Sequence, residues 1–66
     1  MAKIRIKELR EEKGLSQAKL AKELGVNYRT ISNYELEIRE PNIQTIEKLC
    51  KYFGVSSDYL LGFKEY

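Results

Sequence analysis

The chain has 66 residues, of which 42% are hydrophobic and 33% charged, with a net charge of +2, one cysteine and no histidine. A chain this short holds one domain with one shallow core, because it buries only about 60% of the surface its unfolded form exposes. The counts exclude an intramolecular disulfide and a histidine- or cysteine-rich metal site, and a single aspartate with no histidine leaves no nucleophile, base and orienter set, so no catalytic residue, metal or cofactor is assigned.

The opening stretch MAKIRIKELREE carries charges where a signal peptide needs an apolar segment, and no apolar run approaches the roughly 18 residues of a membrane span. A cytoplasmic location is therefore expected, with no membrane partner. Residues 1–34 hold eight basic groups against four acidic ones, and the remainder sums to −2. That asymmetry favours an anionic partner for the first half.

Taken in chain order, helical patterns cover residues 3–13, 17–24, 28–35, 43–53 and 57–61. The first ends at Gly14, the second at Gly25 and the fourth at Gly54, each placed to take the left-handed conformation that closes a helix. Ser16, Asn27, Asn42 and Ser56 are the N-caps of the helices that follow. Leu15, Val26 and Val55 stand just before three of these caps, and Leu20, Ile31 and Leu60 stand four residues after them, which is the hydrophobic-staple spacing. The fourth helix has the cleanest apolar stripe, Ile43, Ile46, Leu49, Cys50 and Phe53, with Cys50 as a small apolar filler. No window alternates as a strand would, so the fold is expected to be all-α, a compact five-helix bundle.

The informative region is QAKLAKELGVNYRTISNY, Gln17 to Tyr34. Two helices of about eight residues join through Gly25-Val26-Asn27, with Leu20, Leu24, Val26 and Ile31 facing inward and Ala21 small enough for a close crossing. With Ile31 and Tyr34 turned to the core, the third helix presents Tyr28, Arg29, Ser32 and Asn33 outward, with Thr30 at the margin. These side chains are rich in donors and acceptors but carry one charge, a composition suited to reading base edges.

In this region the chain resembles the helix-turn-helix DNA-binding domains of the XRE type, which include the lambdoid phage repressors and Cro proteins. The resemblance runs from IKELREEKGLSQAKLAKELGV through TISNYE to PNIQTIEKLCKYFGVSSDYLL. It implies a lambda-repressor-like fold over residues 1–66, a motif at 17–35, and a third helix lying in the major groove of double-stranded DNA. On that basis Tyr28, Arg29, Ser32 and Asn33 are base-reading candidates. Gln17, at the first turn of the second helix, is implied to hold a DNA phosphate, where helix N-termini favour anions. Ser16, Lys19, Thr30, Arg39 and Asn42 are further phosphate candidates, Ser16 serving first as a cap. The resemblance also implies a structural ion pair between Arg10 and Glu35.

Two stretches depart from the family pattern or extend beyond it. In LEIREP, Glu37 stands where glycine is common and Glu40 precedes Pro41. Two glutamates would repel a phosphate backbone, so either Arg39 and the backbone amides near Asn42 do more of the holding or the loop turns away. Leu36 and Ile38 have three open uses: packing on the core, touching a thymine methyl, or joining a partner. At the C-terminus Tyr59, Leu60, Leu61, Phe63 and Tyr66 are too many apolar groups for so small a core, which points to a homodimer through this region, with Tyr59, Leu60 and Phe63 foremost. The expected function is a sequence-specific transcriptional regulator, a repressor occupying a palindromic operator as a dimer. No small-molecule ligand is evident. The alternative is a protein-binding module such as an antitoxin or adaptor. Starting at Met1 and completing a five-helix unit fits either a whole small regulator or the DNA-binding domain of a longer one.

Overall fold

In the computed structural model, which describes residues 4–65, α1 (Ile6–Glu12), α2 (Gln17–Leu24), α3 (Tyr28–Glu35), α4 (Ile43–Phe53) and α5 (Ser57–Leu60) follow one another without a strand among the described residues. Four of the helices start at a side-chain cap. Ser16 Oγ accepts from the Lys19 N–H at 3.0 Å, Asn27 Oδ1 from Arg29 at 2.9 Å, Asn42 Oδ1 from Thr45 at 2.8 Å, and Ser56 Oγ from Tyr59 at 3.1 Å. Each bond satisfies one of the backbone donors that a helix start leaves without a partner.

α1 starts differently and is shorter than its sequence pattern. Its first turn has no side-chain cap, and the Arg5 N–H instead donates to the Leu60 carbonyl at 2.8 Å. The expected start at Lys3 lies outside the described residues, as does Tyr66 of the apolar tail. At the other end Lys13 has left the helix, one residue before Gly14 turns the chain.

The helix ends share one device. At Gly14, Gly25, Glu37 and Gly62 the backbone is left-handed, and the next residue's N–H reaches back five residues: Leu15 to Arg10, Val26 to Ala21, Ile38 to Asn33 and Phe63 to Asp58, at 2.8–3.0 Å. Gly54 closes α4 in the same way, with Val55 bonded to Cys50 at 3.1 Å. The apolar residue after the turn packs on the core at Leu15, Val26 and Val55. At Ile38 and Phe63 it does not; these are 68% and 70% exposed.

Glu37 is the one non-glycine residue among the described residues with positive φ, at 62°. A Cβ in that conformation costs roughly 1–2 kcal/mol. Glu37→Gly will therefore raise stability by about 0.5–1 kcal/mol after the extra freedom of glycine in the unfolded chain is subtracted. Thermal unfolding followed by circular dichroism should show a Tm increase of about 4 °C, and an unchanged or lower Tm would mean the turn is not strained.

All five helices contribute to one core: Ile6 and Leu9, Leu20, Ala21 and Leu24, Ile31 and Tyr34, Leu49, and Leu60. α2 and α3 pack most closely on each other, α1 lies on α3, and α4 pairs with α5. Two expectations about burial need correction. The stripe of α4 is not buried along its length: Leu49 is, Ile46, Cys50 and Phe53 are half-buried, and Ile43 is 82% exposed. α5 has only four residues, too short to cover the first turn of α4. Leu60, expected on an association surface, is fully buried in the core and is unavailable to a partner.

No described helix is long and apolar enough to cross a membrane. Burial pushes the Cys50 thiol up from its ordinary pKa, which disfavours the reactive thiolate.

Candidate nucleic-acid interface

α2 and α3 meet through a turn in which every residue has an assigned job. Gly25, at φ 72°, ends α2 in a left-handed conformation that a side chain would strain. The Val26 N–H then closes back on the Ala21 carbonyl at 2.9 Å, and Asn27 caps α3. Ala21 is 2% exposed, so its methyl fills the space between the two helices. Ile31 and Tyr34 hold α3 down, at 0% and 7% exposure.

With those two positions inward, helical geometry turns the rest of α3 outward. Tyr28, 54% exposed, and Arg29 stand clear of the domain at the N-terminal end of the helix, while Ser32 and Asn33 continue the same face, half-buried. Thr30 is half-buried at its margin. None of these five belongs to the core cluster.

The start of α2 lies beside the end of α3 through a network of charged and polar side chains. Arg10 donates Nε to Glu35 Oε2 at 2.7 Å and Nη2 to Oε1 at 3.1 Å, a two-pronged pair. Its Nη1 also donates to the Leu15 carbonyl at 2.8 Å. The two side chains are 12% and 5% exposed. The hydrogen bond that Arg10 donates to Glu35 raises the guanidinium above its usual basicity, while burial acts in the opposite sense. Gln17 joins them, donating Nε2 to Glu35 Oε1 at 3.0 Å. One network thus ties α1, α2 and α3 together.

Of the remaining candidates, Ser16 uses its oxygen to cap α2 and retains its hydroxyl proton. Lys19 is exposed on the first turn of α2, 3.8 Å from Glu23. Arg39 and Asn42 lie on the connection after α3, which is fastened to that helix by Ile38 and Arg39 N–H groups on the Asn33 carbonyl at 2.9 and 3.3 Å. Asn42 uses its carbonyl oxygen as a cap and keeps its amide donors. Leu36 and Ile38, 66% and 68% exposed, do not pack on the core, which removes one of their three open uses.

Arg5 fastens the two ends of the described chain together. Nε donates to the Tyr59 carbonyl and Nη2 to the Lys64 carbonyl, both at 2.9 Å, while the guanidinium lies 4.6 Å over the Tyr59 ring. Tyr59 is half-buried beneath it. Phe63 is left on a surface with Ile43, and two adjoining clefts that share Ile46 and Leu61 run between them. Sequence reasoning missed this clamp and the Gln17–Glu35 bond. Both join residues far apart in the chain, and neither has a local pattern to announce it.

Two eight-residue helices joined by a left-handed glycine turn, the second fastened by its inner face and open on its outer one, define a helix-turn-helix unit. The chain belongs to the helix-turn-helix family, whose model matches residues 6–60. It is similar to the transcriptional regulator ImmR of Bacillus subtilis (strain 168), 41% identical over 61 residues that cover 92% of this chain and 48% of that protein. It is also similar to RstR, the cryptic phage CTXphi transcriptional repressor of Vibrio cholerae, 38% identical over 61 residues, 92% of this chain and 55% of that protein. A crystal structure of a transcriptional regulator from Listeria innocua superposes with a TM-score of 0.82 at 31% identity, covering 92% of this chain and 57% of that one. The chain spans about half the length of the curated relatives it matches.

Proposed function

We propose that these residues recognise specific sequences in double-stranded DNA on behalf of a transcriptional repressor, binding a palindromic operator as a dimer with α3 in the major groove. The observation that carries this reading is the outer face of α3, where Tyr28, Arg29, Ser32 and Asn33 are presented while Ile31 and Tyr34 hold the helix. Arg29 suits a bidentate contact to guanine and Asn33 one to adenine, each contributing roughly 1–3 kcal/mol of discrimination. Tyr28 and Ser32 reach neighbouring base edges or methyl groups.

Gln17, Ser16, Lys19, Thr30, Arg39 and Asn42 hold the phosphate backbone and set the register of α3. Repression needs no chemistry: a bound dimer excludes polymerase from an overlapping promoter, and the site of action is the cytoplasm. The similarity to a protein named as a phage transcriptional repressor supports the direction of regulation. For the dimer, the support is the exposed Ile43 and Phe63 around the adjoining clefts. Tyr59 lies half-buried beneath Arg5, and Leu60 acts only by supporting α5 from within.

Selection of bound sequences from random duplex DNA, followed by titration over a range of salt, tests the whole reading. A palindrome should be enriched, and Arg29→Ala or Asn33→Ala should each weaken operator binding by about 1–3 kcal/mol and relax the preference at one position of each half-site. Enrichment of a single half-site would remove the dimer and keep the recognition. Equal, salt-labile binding to all sequences would sink specific recognition and favour a protein partner on the apolar face.

A further inference from the structure

We infer that Glu35 is a positioning residue for DNA binding: it aims the Gln17 amide at the phosphate backbone. The inference rests on the proposed phosphate contact of Gln17. Glu35 Oε1 accepts from Gln17 Nε2 at 3.0 Å while the same carboxylate is held by Arg10 at 2.7 and 3.1 Å. A carboxylate can only accept, so it draws the nitrogen end of the glutamine amide toward itself. The amide carries two N–H groups and uses one on Glu35. The other projects about 120° away in the same plane, free for a phosphate oxygen.

Glutamine is among the side chains that lose most rotamer freedom when they are fixed. In this protein much of that ordering precedes DNA, because the anchor is itself buried and doubly bonded; the Glu35 side chain is 5% exposed. Arg10 balances the carboxylate's charge, which limits its repulsion of a nearby phosphate. The phosphate grip of α2 is thereby tied to the end of α3, so the helix that holds the backbone and the helix that reads bases keep a fixed relation.

The test compares the 66-residue chain with Gln17→Ala, with Arg10→Met/Glu35→Met, and with Arg10→Met/Glu35→Gln, which returns an acceptor oxygen at position 35. Replacing both members of a buried pair by apolar groups commonly leaves a fold intact, and thermal unfolding checks each variant. Measured on the selected operator and on unrelated duplex, Gln17→Ala should weaken both by roughly tenfold. The double methionine variant should weaken both by the same factor, and Gln17→Ala should add nothing to it. The Arg10→Met/Glu35→Gln variant should recover most of the loss. Nuclear magnetic resonance of the Gln17 side-chain amide should show a hydrogen-bonded proton in the parent chain and in the Arg10→Met/Glu35→Gln variant, and free-glutamine behaviour in the double methionine variant.

If the double methionine chain binds as the parent does while Gln17→Ala weakens binding, Glu35 does not aim the amide, although the phosphate contact stands. If Gln17→Ala changes nothing, the phosphate contact itself is wrong and the inference falls with it. Should the double methionine chain unfold, the parent amide spectrum decides: free-glutamine behaviour there overturns the inference, and a hydrogen-bonded proton whose partner proton alone shifts on adding duplex supports it.

Discussion

Glu35→Ala should cost the folded state about 3–5 kcal/mol, enough to leave much of this domain unfolded at 37 °C. The carboxylate accepts three hydrogen bonds, two from Arg10 and one from Gln17, with its side chain 5% exposed. Removing it leaves a guanidinium, on a side chain only 12% exposed, with the Leu15 carbonyl and little water to satisfy it. The penalty comes from the abandoned charge and not from the intrinsic worth of the pair, since two buried ions lose hydration that their attraction only partly returns. The single substitution should therefore be much worse than the double replacement by methionine. Urea or thermal unfolding of both variants checks this. A Glu35→Ala loss under about 1 kcal/mol, the scale of an exposed ion pair, would mean that water reaches Arg10 freely.

Ile31→Ala should destabilise the domain by about 2–5 kcal/mol, the usual range for emptying a fully buried isoleucine site. Ile31 has no exposed surface, and Val26, half-buried against the same core, staples the start of its helix. Only Ile31 and Tyr34 of the eight residues in α3 are buried. A cavity at Ile31 therefore removes one of the helix's two buried anchors, in addition to about 1 kcal/mol for each lost methylene. Circular dichroism melts should show a Tm lower by at least about 10 °C, and operator binding should fall even at temperatures where the chain remains folded. A loss confined to DNA binding, with an unchanged Tm, would contradict the anchoring role.

Much of the architecture could be read locally. Ser16, Asn27, Asn42 and Ser56 cap the helices assigned to them, because capping depends on residues two or three positions apart. Left-handed glycines and staple residues are legible for the same reason. Burial along α4 was not: the stripe from Ile43 to Phe53 has helical spacing, but spacing says which residues share a face and not what lies opposite. For Leu60 the staple pattern, which placed it inside, was the better guide than membership of an apolar tail. The outer face of α3 followed from fixing its inner face. Contacts such as Arg5 with Tyr59 and Lys64, or Gln17 with Glu35, depend on how helices settle against one another, which no local pattern encodes.

The placement of Ile31 and Tyr34 has a consequence for how such a chain can change. Since the core cluster excludes Tyr28, Arg29, Ser32 and Asn33, substitutions there are not required to preserve packing, and substitutions inside need not respect any ligand. The two sets of positions can drift independently. A library randomised at the four outer positions would keep one scaffold constant while varying its target, so new preferences could be acquired one residue at a time without passing through unfolded intermediates.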